Sequence, residues 1–435
     1  MSFRNILATS CLLFLPVPIW TQTTAKPFSQ DPLSLAQAES IAVANQPRLL
    51  AAQLRAKASA QRVRETRSGL QPTIAFNATG ALVADTGSAI AVGNVTTSAV
   101  SDRFAYGGNL SQLVTDFGRT SALVRSARYQ STAQDNLTTL TRAQVRLNVR
   151  EAYYGVLGAE AVLRAAQAAQ QNRHLISRQL EALAQSELRS TLDVNFAKVL
   201  ESEAELAVVR AQSTVSQERS RLATAMGESQ VIHAVLSEPA APDALPGTPE
   251  DLLQQATAQR ADLSAAHAQQ LAAEQFAQSE KRLSYPTLNV LGAAGQVPYH
   301  DHTLHDSYAA AGFNLNIPVF NGGLFAARRA EAQLEAAART RDTDALRLQV
   351  NEQVRDAWYR ADEAYRSLDV TARLVQQSKE ALRLAQDRYD AGLGSIVELN
   401  EAQLNETSAE ISAADATYTY LSRHAELDFA AGLLN

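Results

Sequence analysis

The sequence predicts a mainly α-helical protein with an internal two-fold repeat, in which each chain gives four strands to a transmembrane β-barrel that one chain cannot close. Three features of the 435 residues carry that prediction: blocks of self-similarity at fixed offsets, helical stretches of about 70 residues, and four short segments with a two-residue apolar period. Nearly half of the residues are hydrophobic (46%), enough for a large buried core. The net charge of −6 has both signs interspersed, so no basic field exists to hold nucleic acid.

Arg4 precedes the apolar run Cys11 to Trp20, which is followed by Thr23, Thr24 and Ala25. A charged start, an apolar middle and a small-residue site read as an export leader over residues 1–25. The run is too short to span a bilayer, and nothing later reaches the roughly 20 apolar residues that a spanning helix needs. Cys11, the only cysteine, lies inside the run rather than after it, so the leader reads as cleaved and not lipidated. The mature chain then holds neither a disulfide nor a thiolate metal site.

The repeat fixes the architecture. Leu49, Ala51, Ala52, Pro72 and Thr73 recur as Leu263, Ala265, Ala266, Pro286 and Thr287. After one change of register, Leu110, Val114, Asp116 and Gly118 match Leu315, Val319, Asn321 and Gly323, and the run Arg150 to Tyr154 matches Arg355 to Tyr359. Residues 26–227 and 248–435 therefore form two structural repeats. Each opens with a helix start, Ser34 with Gln37 in the first and Thr248, Pro249, Glu250 in the second. Residues 228–247, with Pro239, Pro242 and Pro246, read as the linker.

Strands are expected at about 72–83, 103–115, 286–296 and 308–319. In the first, Ile74, Phe76, Ala78 and Leu82 alternate with Thr73, Asn77 and Thr79; in the second, Phe104, Tyr106, Leu110 and Val114 alternate with Arg103, Gly107, Asn109 and Ser111. Leu288 and Val290 mark the third, and Phe313, Leu315, Ile317 and Val319 the fourth. Segments of this length with one apolar and one polar face fit either a soluble sandwich or a membrane barrel, and single-chain barrels have about 8 strands or more. A barrel left open in lipid strands its edge N–H and C=O groups at several kcal/mol each, so several copies must share one.

Between the strands run Phe117 to about Glu187 and Gly322 to about Ala391, with no proline and almost no glycine. At 1.5 Å per residue each reaches about 100 Å. Val145, Val149, Tyr153 and their copies Val350, Val354, Trp358 recur every four residues, and Leu192, Phe196, Val199 and Leu206 follow four-three spacing. That pattern belongs to long helices packed side by side.

In these features the chain resembles the TolC family of outer-membrane efflux proteins over essentially its whole mature length. The repeat carries the resemblance, with Ala44, Asn45 and Pro47, the corners Asp116, Phe117, Gly118 and Asn321, Gly322, Gly323, and the run Arg388, Tyr389, Ala391, Gly392, Leu393, Gly394, Ser395. The resemblance implies a homotrimer with a shared 12-stranded barrel in outer-membrane lipid and a coiled-coil tunnel crossing the periplasm. It also implies no catalytic activity or cofactor, with a periplasmic adaptor and an inner-membrane transporter as partners.

By the same resemblance Glu398 and Glu401 form the periplasmic gate. Three residues apart, they share a helix face, and a ring of carboxylates attracts cations. Tyr389 and Asp193 match polar bonds that hold the tip closed, and Leu188, Ser190, Gly392, Leu393 and Ser395 match the adaptor-contacting tip. Gly394 departs from the pattern, since the best-known member has an arginine there; Arg189 is a candidate substitute. Glu187 stands where the second half has Gly392, so the two turns differ. His300, His302 and His305 with Asp301 and Asp306 have metal-ligand chemistry but read as a polar surface loop, and Asn321, Gly322, Gly323 reads as a strand-to-helix corner, not a phosphate site. No nucleophile–base pair, dinucleotide fingerprint or Walker loop is present. The competing class is a periplasmic coiled-coil scaffold or adaptor, which has no need of four alternating strands.

Overall fold

The computed structural model describes residues 32–81, 91–92, 95–96, 103–187, 190–239, 244–245, 247–299 and 305–435. The leader and Cys11 lie outside the described residues. The elements run α1 (Leu35–Asn45), α2 (Pro47–Ser68), β1 (Thr73–Ala81), β2 (Ala91–Val92), β3 (Val95–Thr96), β4 (Arg103–Thr115), α3 (Arg119–Gln185) and α4 (Thr191–Met226). The second half follows with α5 (Pro249–Gln259), α6 (Ala261–Lys281), a 3-10 turn (Arg282–Ser284), β5 (Thr287–Tyr299), β6 (Ser307–Asn316), α7 (Leu324–Asp390) and α8 (Ile396–Ala430). The repeat survives folding residue for residue: α3 and α7 are both 67 residues long, about 100 Å each.

What reads in sequence as one opening helix per half is two. The chain leaves helical geometry at Gln46 (ψ 114°) and at Arg260 (ψ 124°). Pro47 enforces the first break, because the residue before a proline is pushed to extended backbone. Ser34 and Thr248 each make a full capping box, with Gln37 and Asp251 as reciprocal partners.

The four long strands form one antiparallel sheet in the order β1-β4-β5-β6. Ile74 faces Leu110, Val290 faces Phe313 and Leu288 faces Leu315, so the apolar residues share one face. On the opposite face Thr73 pairs with Ser111 and Asn289 with Asn314, while Asn77 donates to Asn109 at 3.0 Å. Gly107, Gly295 and Tyr308 lie in one cross-strand row. A Cβ at Gly107 would sit 2.6 Å from the Tyr308 hydroxyl and 2.5 Å from the Ala294 carbonyl oxygen, so the two glycines let the tyrosine lie across both strands. The fourth strand is shorter than its alternation implies. It stops at Asn316, because Pro318 has no N–H for a ladder. The third continues to Tyr299, past its expected end.

At each strand-to-helix corner two residues take positive φ, Phe117 and Gly118 (53° and 84°) in the first half and Gly322 and Gly323 (62° and 83°) in the second. Asp116 is buried there and accepts from the Gly118 and Thr120 amides at 3.0 and 2.6 Å. Arg282 donates to the Gly118 carbonyl at 2.7 Å, tying the two halves together below the sheet.

The main core lies around the middle of the long helices. Leu49, Val145, Val149, Tyr153, Leu157, Leu222 and Met226 pack together with Ile232 and Leu236 of the connecting segment. That segment is therefore packed along part of its length, and Leu33 forms a parallel bridge with Leu236. The Tyr153 hydroxyl lies 2.8 Å from the Leu33 carbonyl and 2.7 Å from that of Ser237, and burial pushes its pKa up to about 12. A second cluster repeats the arrangement with Leu263, Val350, Val354, Ala361 and Leu427. Arg150 joins the ends of the chain through Glu39 (2.6 Å) and Asp428 (2.9 Å).

Candidate functional site at the helix tips

Farthest from the sheet, α3 turns into α4 and α7 turns into α8. The second turn has a regular stop. Gly392 takes φ 73°, its amide donates to Tyr389, and the Leu393 amide returns to the Arg388 carbonyl at 2.8 Å. In the first turn Glu187 occupies the equivalent left-handed position at φ 60°, a conformation that costs a residue with a Cβ about 1–2 kcal/mol. Leu188 and Arg189 lie outside the described residues. Ser190 and Ser395 cap the outgoing helices, accepting from the Leu192 amide at 3.1 Å and the Glu398 amide at 3.2 Å. Leu393 is left 75% exposed, an apolar side chain at the extreme tip.

Tyr389 is buried in an apolar cluster with Leu180 of α3, Ala197 of α4, Ala385 of α7, and Ile396 and Leu399 of α8. The cluster draws on all four helices, so it holds the two hairpins together near their ends. Asp193 stands in the first turn of α4, half-buried, where the helix dipole favours a carboxylate. Glu398 and Glu401 are both exposed on the first turns of α8.

Sequence reasoning missed the partner of Glu398. Arg388 reaches across the turn with Nε 3.3 Å from the Glu398 carboxylate and also donates to the Leu393 carbonyl at 3.4 Å. The signal was available: opposite charges ten residues apart face each other when a helix reverses over a glycine turn. Higher up, Arg173 of α3 is buried and donates to Asn400 of α8 at 3.2 Å. Burial lowers its pKa, with the Glu203 charge opposing. His174 contacts Glu201 at 2.6 Å, and this bond, then that from Ser177, holds the Glu201 carboxylate below the usual range. Burial and then Glu410 push the Glu406 carboxyl up.

Of the histidine-rich loop only His305 and Asp306 are among the described residues, in which no group of three His, Cys, Asp or Glu side chains is placed to hold a metal. Nor, among these residues, is any helix long and apolar enough to cross a membrane.

Two blocks of the chain, residues 39–228 and 252–433, match the family described as Outer membrane efflux protein. Outer membrane protein TolC of Salmonella enteritidis is 24% identical over 185 residues, an alignment that takes in 40% of this chain and 37% of that relative. A membrane protein of Pseudomonas aeruginosa superposes with a TM-score of 0.80 at 21% identity, covering 92% of this chain and 90% of the other. The Neisseria gonorrhoeae MtrE outer membrane channel in its open state gives 0.77 at 22%, covering 92% and 88%. VceC of Vibrio cholerae gives 0.75 at 20%, covering 92% and 96%. At these identities the superpositions speak for the fold. The two matched blocks coincide with the two folded halves and together span most of the sequence, and on that ground the chain belongs to the outer membrane efflux protein family.

Proposed function

We propose that three copies of this chain form a passive exit duct in the outer membrane, with a shared 12-stranded barrel in lipid and the helices as a tunnel through the periplasm. One observation carries the reading. The sheet has two free edges, β1 and β6, and one face bearing Ile74 (79% exposed), Phe76 (71%) and Phe313 (75%). Lipid covers such a face, and pairing β6 of each copy with β1 of the next removes both edges. Family membership points the same way, as does the outer-membrane description of the relatives.

The tips then point toward the cell interior, where a periplasmic adaptor docks and an inner-membrane transporter delivers the substrate. Leu188, Ser190, Gly392, Leu393 and Ser395 form the docking surface; the exposed Leu393 supplies apolar contact, while Ser190 and Ser395 hold the turns in shape. Glu398 and Glu401 form the gate ring, with Tyr389 and Asp193 in its closure. Residues 1–25 direct export, and 26–227 and 248–435 are the two repeats that build the duct. A periplasmic scaffold without a barrel would leave the apolar sheet face in water.

Planar-bilayer recording tests the duct. Protein extracted with detergent from outer membranes should run as a heat-dissociable trimer and insert as discrete conducting units. A chain that stays monomeric and water-soluble without detergent, and conducts nothing, rules it out.

A further inference from the structure

The internal repeat supplies a template for the contact between copies. Helix α6 lies between two long helices, α3 and α7, whereas its counterpart α2 packs along one, α3. On α6 the positions turned inward are Ala265, Ala268, Ala272 and Ser279, all buried. Their equivalents on α2 are Ala51, Leu54, Ala58 and Glu65; Ala51 is half-buried, the other three are exposed, and Leu54 is 64% exposed. The long helices show the same contrast. Ala122, Ser126 and Ala133 of α3 are buried, while their equivalents Ala327, Glu331 and Ala338 of α7 are exposed, and Leu334, the equivalent of Tyr129, is 72% exposed. The fold thus leaves one flank of α2 and one flank of α7 uncovered, at the positions that the other half of the same chain buries.

We infer that α2 of each copy packs antiparallel against α7 of the next, in the register that α6 takes on α3 within one chain, with Glu331 held between Arg55 and Arg62 of the neighbour. The inference rests on the trimeric duct and names the residues of its seam. The register follows from two bonds, Ser126 to the Ala272 carbonyl at 2.8 Å and Arg125 to Gln275 at 2.7 Å. Carried through the repeat, they set Glu331 opposite Ala58 and Ala330 opposite Gln61. Continuing the antiparallel run by one turn sets Leu334 opposite Leu54, so the two exposed leucines bury each other. Glu331 takes the place of a buried serine hydroxyl, and Arg55 and Arg62 lie one turn to either side of Ala58 on the same flank. Five of the six basic residues of α2 have no basic equivalent on α6: Arg48, Arg55, Lys57, Arg62 and Arg64 stand where α6 has Asp262, Gln269, Leu271, Phe276 and Gln278. The helix itself therefore does not require them. Opposite charge on the uncovered flank of α7 gives two of them a partner, and the occupant of both flanks is a second copy.

Disulfide capture tests the register. The chain has no cysteine apart from Cys11, so Leu54→Cys with Leu334→Cys leaves a single reactive pair per seam. Oxidised in outer membranes, the double variant should give covalent dimers and trimers on non-reducing gels. Either single variant, and Leu54→Cys with Ala336→Cys, about 200° round the helix, should not. Glu331→Arg should lower the temperature at which the trimer dissociates in detergent, and Arg62→Glu in the same chain should restore it. A double-cysteine variant that still conducts but forms no link, or a link only within one copy, overturns the seam and leaves the duct standing. A wild-type chain that neither assembles nor conducts overturns both.

Discussion

At the residue scale, the carboxylate proposed for the gate, Glu398, has a cation beside it. The Arg388–Glu398 contact is solvent-exposed, with side chains 58% and 47% accessible, so it adds about 0–1 kcal/mol to stability. Its consequence is electrostatic. In the proposed trimer each copy would present Glu401 and an arginine-paired Glu398, and three-fold symmetry would multiply whatever net charge remains. Replacing both glutamates with alanine should shift the reversal potential under a salt gradient toward lower cation preference. Arg388→Gln should shift it the opposite way, because three positive charges leave while six carboxylates stay. Equal reversal potentials in both variants and the wild type would remove Glu398 and Glu401 from the gate. Spacing and resemblance singled out this pair of glutamates in the sequence, whereas Arg388, ten residues before Glu398, is legible as its partner only once the two helices are read as reversing at the Gly392 turn.

At the element scale, the two helix breaks do the same job with different residues. Gln46 donates to the carbonyls of Thr224 and Ala225, and Arg260, its repeat equivalent, donates to that of Ala430, the equivalent of Ala225. Both side chains plug the last turn of a partner helix, whose final carbonyls lack intrahelical donors. The second plug carries more. Arg260 also binds Asp262 through Nε at 3.0 Å and Nη2 at 2.5 Å, and Gln353 at 2.9 Å, with its own side chain 7% accessible. Arg260→Ala should destabilise the fold by about 3–5 kcal/mol, because Asp262, half-buried, keeps the Leu263 amide but loses the cation paired with it; Gln46→Ala, which loses neutral bonds only, should cost about 1–3 kcal/mol. Guanidinium unfolding followed by helical circular dichroism would rank them, and equal midpoints would refute the distinction. The breaks were not legible in sequence at Arg260, where no proline marks the position and the turn is set by these contacts.

At the scale of the whole molecule, the repeat and the long helices were legible because a duplication leaves fixed offsets and a 67-residue helix leaves an unbroken period. The alternation also placed the apolar face of the sheet. It overran the fourth strand at Pro318 and gave no sign of Tyr308 lying over Gly107 and Gly295, since alternation records a face and not a backbone approach. What neither the sequence nor one chain contains is closure. In the single copy β1 and β6 each pair on one side only, so about half of their amide hydrogens lack a ladder partner. Water can satisfy those groups, whereas in lipid each unpaired one costs several kcal/mol. Closure therefore predicts a specific exchange pattern. In the assembled trimer the amides of Thr73–Ala81 and Ser307–Asn316 should resist deuterium exchange as strongly as those of β4 and β5, and the edge strands should lose that protection first when the trimer dissociates on heating. Fast exchange along β1 and β6 in an intact trimer, with β4 and β5 still protected, would mean that the sheets do not join edge to edge and that the lipid-facing cylinder is closed in some other way.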